Sequence, residues 1–367
     1  MNPLRLALLA FLALTVAACD SGVDGNATND AVLYVGNAGN FSDNNGSLTR
    51  YVLADSSVTQ DAVPNLGGGV QNVYAEGDRV YVLLNFSDSF STGRGRIDVL
   101  DAVSNTRTRQ IDVSTPRALA GVAFTSAGTA EAYATNLYDN TVTRVNLVSG
   151  TTGMTLDVGP NPEGAVDAGG KVYVANSGFG SGTSLSVIEN GRVSTIEDVC
   201  TGPRTLLRDA DGEVWVICTG ASDFSTGAVT APGQVVVLDA GTGAVRQRFT
   251  FPGETLGSAT FGQDGVAVPG SARPEIYVVT GDGVVRFDTE ANTQGTRIRV
   301  AGAPVGAVAY DAASERLYLG RPDADNPFTA DGEVTVHDRA GVQVGQFRAG
   351  IAPVALAFAS GRRVVEG

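Results

Sequence analysis

Lysine is nearly missing from this chain of 367 residues, which holds one, Lys171, and histidine is as scarce, with His337 alone. One tryptophan, two methionines and three cysteines are the other shortages. A single histidine rules out a multi-histidine metal centre, and His337 sits beside Asp338 inside an alternating apolar stretch that reads as a strand interior. No Ser-His relay can be assembled around it. Basic residues are outnumbered, with Lys+Arg 25 against Asp+Glu 39 and a net charge of −14. Such a surface repels nucleic acid and anionic lipid, so neither is expected as a partner. Phosphate-binding loops and dinucleotide fingerprints are missing as well. The glycine clusters Gly67-Gly68-Gly69 and Gly178 to Gly182 fall between strands instead of opening helices. No catalytic constellation and no cofactor is therefore expected. Beyond the N-terminal segment there is no sustained 3.6-residue apolar stripe, which excludes a helical domain.

The only long apolar run is at the start. Arg5 supplies a short positive region, Leu6 to Val16 is apolar but too short for a permanent span, and Ala17 and Ala18 are small. Residues 1–18 read as an export signal. The cut site Val16-Ala17-Ala18-Cys19 resembles the bacterial lipobox, and that resemblance implies that Cys19 is lipidated; the alternative is an ordinary signal with an incidental cysteine. Several acyl chains on one residue give stable anchoring. Residues 19–30 are polar and aperiodic, a tether. With Cys19 committed, Cys200 and Cys218 remain as a pair, which an exported compartment favours as a disulfide over free thiols.

What the chain has in quantity is a repeat. An apolar–aromatic–apolar phrase recurs as Leu33-Tyr34-Val35, Val80-Tyr81-Val82, Ala132-Tyr133-Ala134, Val172-Tyr173-Val174, Val214-Trp215-Val216, Ile276-Tyr277-Val278 and Leu317-Tyr318-Leu319. Subtracting residue numbers gives spacings from 40 (Tyr133 to Tyr173) to 62 (Trp215 to Tyr277). That is the period of four-stranded propeller blades, so the expected fold is all-β, a seven-bladed β-propeller over residues 31–363. A second phrase, such as Val235-Val236-Val237-Leu238-Asp239, marks the third strand of each unit, and its closing Asp or Asn starts a turn. Blade one begins directly at its aromatic strand, whereas Val354 to Ala359 is a spare first strand at the other end. The ring is therefore expected to close by pairing this C-terminal strand into blade one.

The Tyr-Val phrases near Asn, the Val-x-Val-Leu-Asp strands and the Gly-Pro-like links together resemble the YVTN family of bacterial propellers. The opening Leu33-Tyr34-Val35-Gly36-Asn37-Ala38-Gly39-Asn40-Phe41, with Asn45-Gly46-Ser47-Leu48-Thr49, is similar to the DUF5074 branch of propeller surface lipoproteins, which includes BtuG-type proteins. That resemblance implies a monomeric, lipid-anchored propeller on the cell-surface side of the outer membrane. It would capture a corrinoid such as vitamin B12 for a TonB-dependent transporter.

Function is expected on the face that carries the loops joining second to third strands. Those at Gly36 to Asn45, Leu83 to Gly95, Ile217 to Gly233 and Gly320 to Gly332 are longer than a tight turn needs. They and a shorter loop supply Phe41, Asn85, Phe86, Phe90, Tyr138, Phe179, Phe224 and Phe328, an apolar and amide-bearing set suited to a large, partly flat ligand. The bland alternative is that the rings tuck under their own loops. Cys200 in a blade link and Cys218 at a second-strand end both fall on this face. Asp323-Ala324-Asp325-Asn326 with Asp331 reads as a solvated acidic loop or a calcium loop without EF-hand spacing, so no metal is assigned. An adhesion or scaffolding propeller is the second functional reading, and a lactonase using acidic and arginine residues around the central channel is the third.

Overall fold

The computed structural model describes residues 31–121, 131–261, 275–302 and 304–359; the expected signal segment, Cys19, the expected tether and residues 360–363 of the expected propeller lie outside them. Seven four-stranded antiparallel sheets follow one another around a ring. Blade four is the pattern: Pro162–Asp167 innermost, then Lys171–Asn176, Ser184–Glu189 and, outermost, Arg192–Ile196. Among the described residues no helix is long and apolar enough to cross a membrane.

The second strands explain the aromatic phrase. Val32–Asn37, Arg79–Asn85, Lys171–Asn176 and Glu213–Cys218 are buried almost throughout, because each blade is covered on both faces by its neighbours. The core is accordingly divided into seven clusters, each lying between adjacent blades. Tyr34, Tyr81, Tyr173, Trp215 and Tyr277 are fully buried within them. Several also latch blades together at their polar tips. Tyr34 Oη donates to the Ala102 carbonyl at 2.7 Å and Tyr173 Oη to the Ala240 carbonyl at 2.7 Å, each acceptor lying in the third-to-fourth turn of the next blade. A buried phenol needs such an acceptor, so tyrosine fits this position better than phenylalanine.

Those turns are shaped by the closing Asp or Asn. Asp101 Oδ1 accepts from the backbone of Val103 and Ser104, and Asn146 Oδ1 from Val148 and Ser149. These polar residues are structural.

Blade one is completed by Pro353–Ala359, which pairs antiparallel with Val32–Asn37 from Val32↔Ala359 to Asn37↔Pro353. Its side chains serve two cores, Ala355 and Ala359 toward blade two, Leu356 and Phe358 toward blade seven. The seam is reinforced by Tyr51 stacked on Phe347, centroids 4.4 Å apart, and by Phe358 edge-on to Tyr318 at 5.6 Å.

Candidate functional site

The ends of second strands and the starts of first strands meet on one face. Pro116 pairs with Asn136, Pro162 with Asn176, Pro203 with Cys218 and Pro353 with Asn37. The strand-end asparagines hold the bases of the loops. Asn37 Nδ2 donates to Ser47 and Thr49, Asn136 Nδ2 to Thr141 and Thr143, and Asn176 Nδ2 to Ser184 and Ser186, all hydroxyl pairs on the third strand. Asn85 occupies the same place in blade two opposite Gly95 and is only 4 % exposed. Asn85, expected among the ligand contacts, is thus a buried strand-end residue like Asn37, Asn136 and Asn176. In blade five the position is Cys218, disulfide-bonded to Cys200 of the preceding link with a Cα–Cα distance of 6.1 Å. A covalent tie here stands where blades one, three and four use an asparagine amide.

Above these bases the loop aromatics fall into three groups. Phe90, Tyr138 and Phe179 form an arc across blades two, three and four. Phe90 meets Tyr138 at 5.3 Å and 81°, and Tyr138 meets Phe179 at 6.0 Å and 44°. The outer two rings are 77 % and 57 % exposed, so the arc is a surface and not a satellite core. Phe179 reaches it through a left-handed backbone, φ 52° and ψ 40°, between Gly178 and Gly180. A bulky residue there costs of order 1–3 kcal/mol, so the surrounding loop spends stability to present this ring. Tyr138 is pinned from below, its amide donating to Thr115 Oγ1 at 3.1 Å.

Phe41 and Phe86 make the second group, over blades one and two. Their loops are joined by a reciprocal pair, Asn44 Nδ2 to Ser87 Oγ and Ser87 N to Asn44 Oδ1. Phe86 is half-buried beneath the guanidiniums of Arg94 and Arg96, 5.3 and 5.4 Å from its centroid. Its face is thus already occupied. Phe224 and Phe328 form no ring contact among the described residues and stand alone. Phe224 caps the hairpin Ala221–Ser222 and Val229–Ala231, fully exposed, in a turn tied by Asp223 to Ser225 and Thr226. Phe328 is 70 % exposed on blade seven. In the same loop Asp323 Oδ1 accepts from the amides of Asp325 and Asn326, a turn-forming role, and no acidic cluster fit for a metal ion occurs among the described residues. His337 is buried, bonded to Thr335 Oγ1 and the Gly341 carbonyl, which leaves it structural.

Sequence reasoning missed the mouth of the central channel. Glu163, the second residue of its innermost strand, accepts through Oε2 from Arg117 Nη2 at 2.9 Å and from Arg204 Nε at 2.9 Å. Arg117 also donates to Gln71 Oε1, which extends the chain of contacts over blades two to five. Close approach of innermost strands makes this possible: a Cβ on Gly164 would lie 2.2 Å from the Arg204 carbonyl oxygen. The signal was present in the sequence, a charged residue directly after the strand-opening proline in Pro116-Arg117, Pro162-Glu163 and Pro203-Arg204. In blades seven and one the residues after Pro304 and Pro353 are Val305 and Val354, so this charged pattern does not run right round the ring.

Burial pushes the Glu163 carboxyl up, but attraction to Arg117 and Arg204 and their hydrogen bonds outweigh it and hold it below its ordinary value of 4.5. A depressed carboxylate stabilises the fold above its unfolded pKa, and that contribution is lost as pH falls through the lower folded value. Glu163→Gln is therefore expected to cost roughly 2–3 kcal/mol at neutral pH, by leaving two guanidiniums without their carboxylate. The gap from wild type should close as the pH falls below 4.5. Urea melts across that range test this; a gap independent of pH would refute it.

The fold and this face define a seven-bladed propeller with a rigid strand-end platform, a surface arc of aromatics and a charged channel mouth. No protein-family model matches the sequence, and no curated protein sequence matches it. Among solved structures, a Kuenenia stuttgartiensis hydrazine synthase chain is similar with TM-score 0.61 and 18 % identity over 78 % of this chain and 89 % of that one. The Pseudomonas aeruginosa periplasmic gluconolactonase PpgL is similar with TM-score 0.64 and 15 % identity over 89 % of this chain and 98 % of that one. At these identities the likeness is one of fold.

Proposed function

We propose that this chain is a lipid-anchored capture propeller that takes a bulky, partly flat ligand on its loop face. The observation that supports the reading is the Phe90–Tyr138–Phe179 arc. Three rings from three blades form a continuous apolar surface, and one of them is presented at a backbone cost. A ligand with an extended flat body and peripheral amides gains from stacking there and from the backbone groups of the loops around it. On the sequence resemblance, a corrinoid such as vitamin B12 is the first ligand to try. The same resemblance supports a reading in which the protein is held through Cys19 on the surface of the outer membrane and works beside a TonB-dependent transporter.

Calorimetric titration of cobalamin into the mature protein is the test. Saturable heat and co-elution at micromolar protein are expected. Replacing Phe90 and Phe179 together by alanine should weaken binding roughly 10- to 100-fold. Both rings are exposed, so the double variant should keep its melting temperature. Absence of heat would reject the corrinoid, and a double variant that binds like wild type would remove the arc from the site. An adhesion or scaffolding role is the second reading, favoured by Phe224 at the fully exposed tip of a projecting hairpin.

A further inference from the structure

We infer that the channel mouth is an oxyanion site in which Arg204 is the recognising residue, and that the ligand taken on this face carries a carboxylate or phosphate. The first part stands on the geometry alone, and the second rests on the capture reading above.

Two like-charged guanidiniums share one carboxylate at the mouth, which leaves a local excess of one positive charge. Arg117 is largely used up, by Glu163 and by Gln71. Arg204 is not. It meets Glu163 through Nε only, its two Nη groups have no protein acceptor among the described residues, and its side chain is 45 % exposed. A guanidinium fixed at Nε offers its terminal fork in one plane, the arrangement that takes two oxygens of a carboxylate or phosphate at once. Lysine at this position could not reproduce it.

The fork cannot swing freely, because its anchor is itself held. Glu163 is shared with Arg117, and Ser177 Oγ lies 3.4 Å from its other oxygen. Ser177 also bonds the Asn161 carbonyl at 2.9 Å and sits two residues before Phe179. One short segment thus joins the charged mouth to the aromatic arc, so a ligand with an apolar body and an anionic group can engage both. The overall charge of −14 does not cancel the site. Charges beyond the screening length of about 8 Å at physiological salt act on it only weakly, whereas a bound anion touches Arg204 directly.

Thermal melting of the mature chain, titrated separately with citrate and with inorganic phosphate against sodium chloride at equal ionic strength, tests the site. A saturable rise in melting temperature is expected with at least one of them, and which one is stronger distinguishes carboxylate from phosphate. Arg204→Gln should weaken the apparent affinity roughly 10-fold or more. Arg192→Gln, the same charge change on a hairpin of the opposite face, should leave it unchanged. Arg204→Lys keeps the charge and guards against a folding defect; it should fold like wild type and still bind the anions less well. No saturable rise with either anion, or equal responses in wild type and Arg204→Gln, overturns the inference. The two readings fail separately. Phe179→Ala should leave the citrate and phosphate responses intact, and a missing cobalamin heat beside a preserved anion response would sink the capture reading alone.

Discussion

A chain ended at Gly350 is expected to fail to form the cooperative propeller, with loss of the thermal transition or a drop far larger than any single substitution produces. Pro353–Ala359 is the innermost strand of blade one and makes the pairing that covers the inner edge of Val32–Asn37. Removing it strips side chains from two inter-blade cores at once, Ala355 and Ala359 from one, Leu356 and Phe358 from the other. Even half-buried, Leu356 and Phe358 together represent roughly 1.5–3 kcal/mol, at about 1.5–3 kcal/mol for each fully buried side chain of this size. The alanines and the backbone ladder add to this. Total stabilities of about 5–15 kcal/mol leave little after such a loss. The ring would also be left with an unpaired inner strand open to other chains. Deleting residues 20–29 is the matched comparison and should not change melting. Calorimetry of the two truncations decides it, and a C-terminal truncation that melts like the full chain would defeat the closure argument.

Loss of the Cys200–Cys218 bond is expected to give the next largest effect. The two cysteines are 18 residues apart in sequence, and closing a loop of that size is worth about 3 kcal/mol in the chain-entropy account. For a ring of this size that corresponds to a melting decrease of about 4 °C. The link and second-strand end that it ties also carry the Ala221–Ser222 and Val229–Ala231 hairpin, so reduction should loosen Phe224 as well. Melting with and without reductant, and the double variant Cys200→Ser/Cys218→Ser, test this. Identical curves, or two free thiols found by mass spectrometry, would contradict it.

How far the sequence could be read follows from the range of the forces involved. Strand identity is local. The aromatic phrases and the Asp and Asn that open turns were legible because each reports on its own few residues. Blade count and ring closure were legible because repetition converts local signals into a global count: a spare strand at one end and a missing one at the other have a single resolution. Loop residues were legible as types but not as partners. Phe90, Tyr138 and Phe179 come from three blades, and nothing in their spacing distinguishes them from Phe224 and Phe328, which stand alone. Asn85 is buried at 4 % exposure, like the strand-end asparagines of blades one, three and four, because the ends of second strands are covered by the adjoining blades.

The channel mouth marks the same divide. Arg117, Glu163 and Arg204 are ordinary charged residues on a very acidic chain until the ring brings three innermost strands side by side. By itself the sequence determined the all-β architecture, its seven units and its closure, since hydrophobic period and turn chemistry act over a few residues and then repeat. Tertiary structure alone decided which rings meet and which guanidinium is left with an open fork. Those are contacts between blades, set by distances of a few ångströms across separations of some forty residues, and no local pattern carries them.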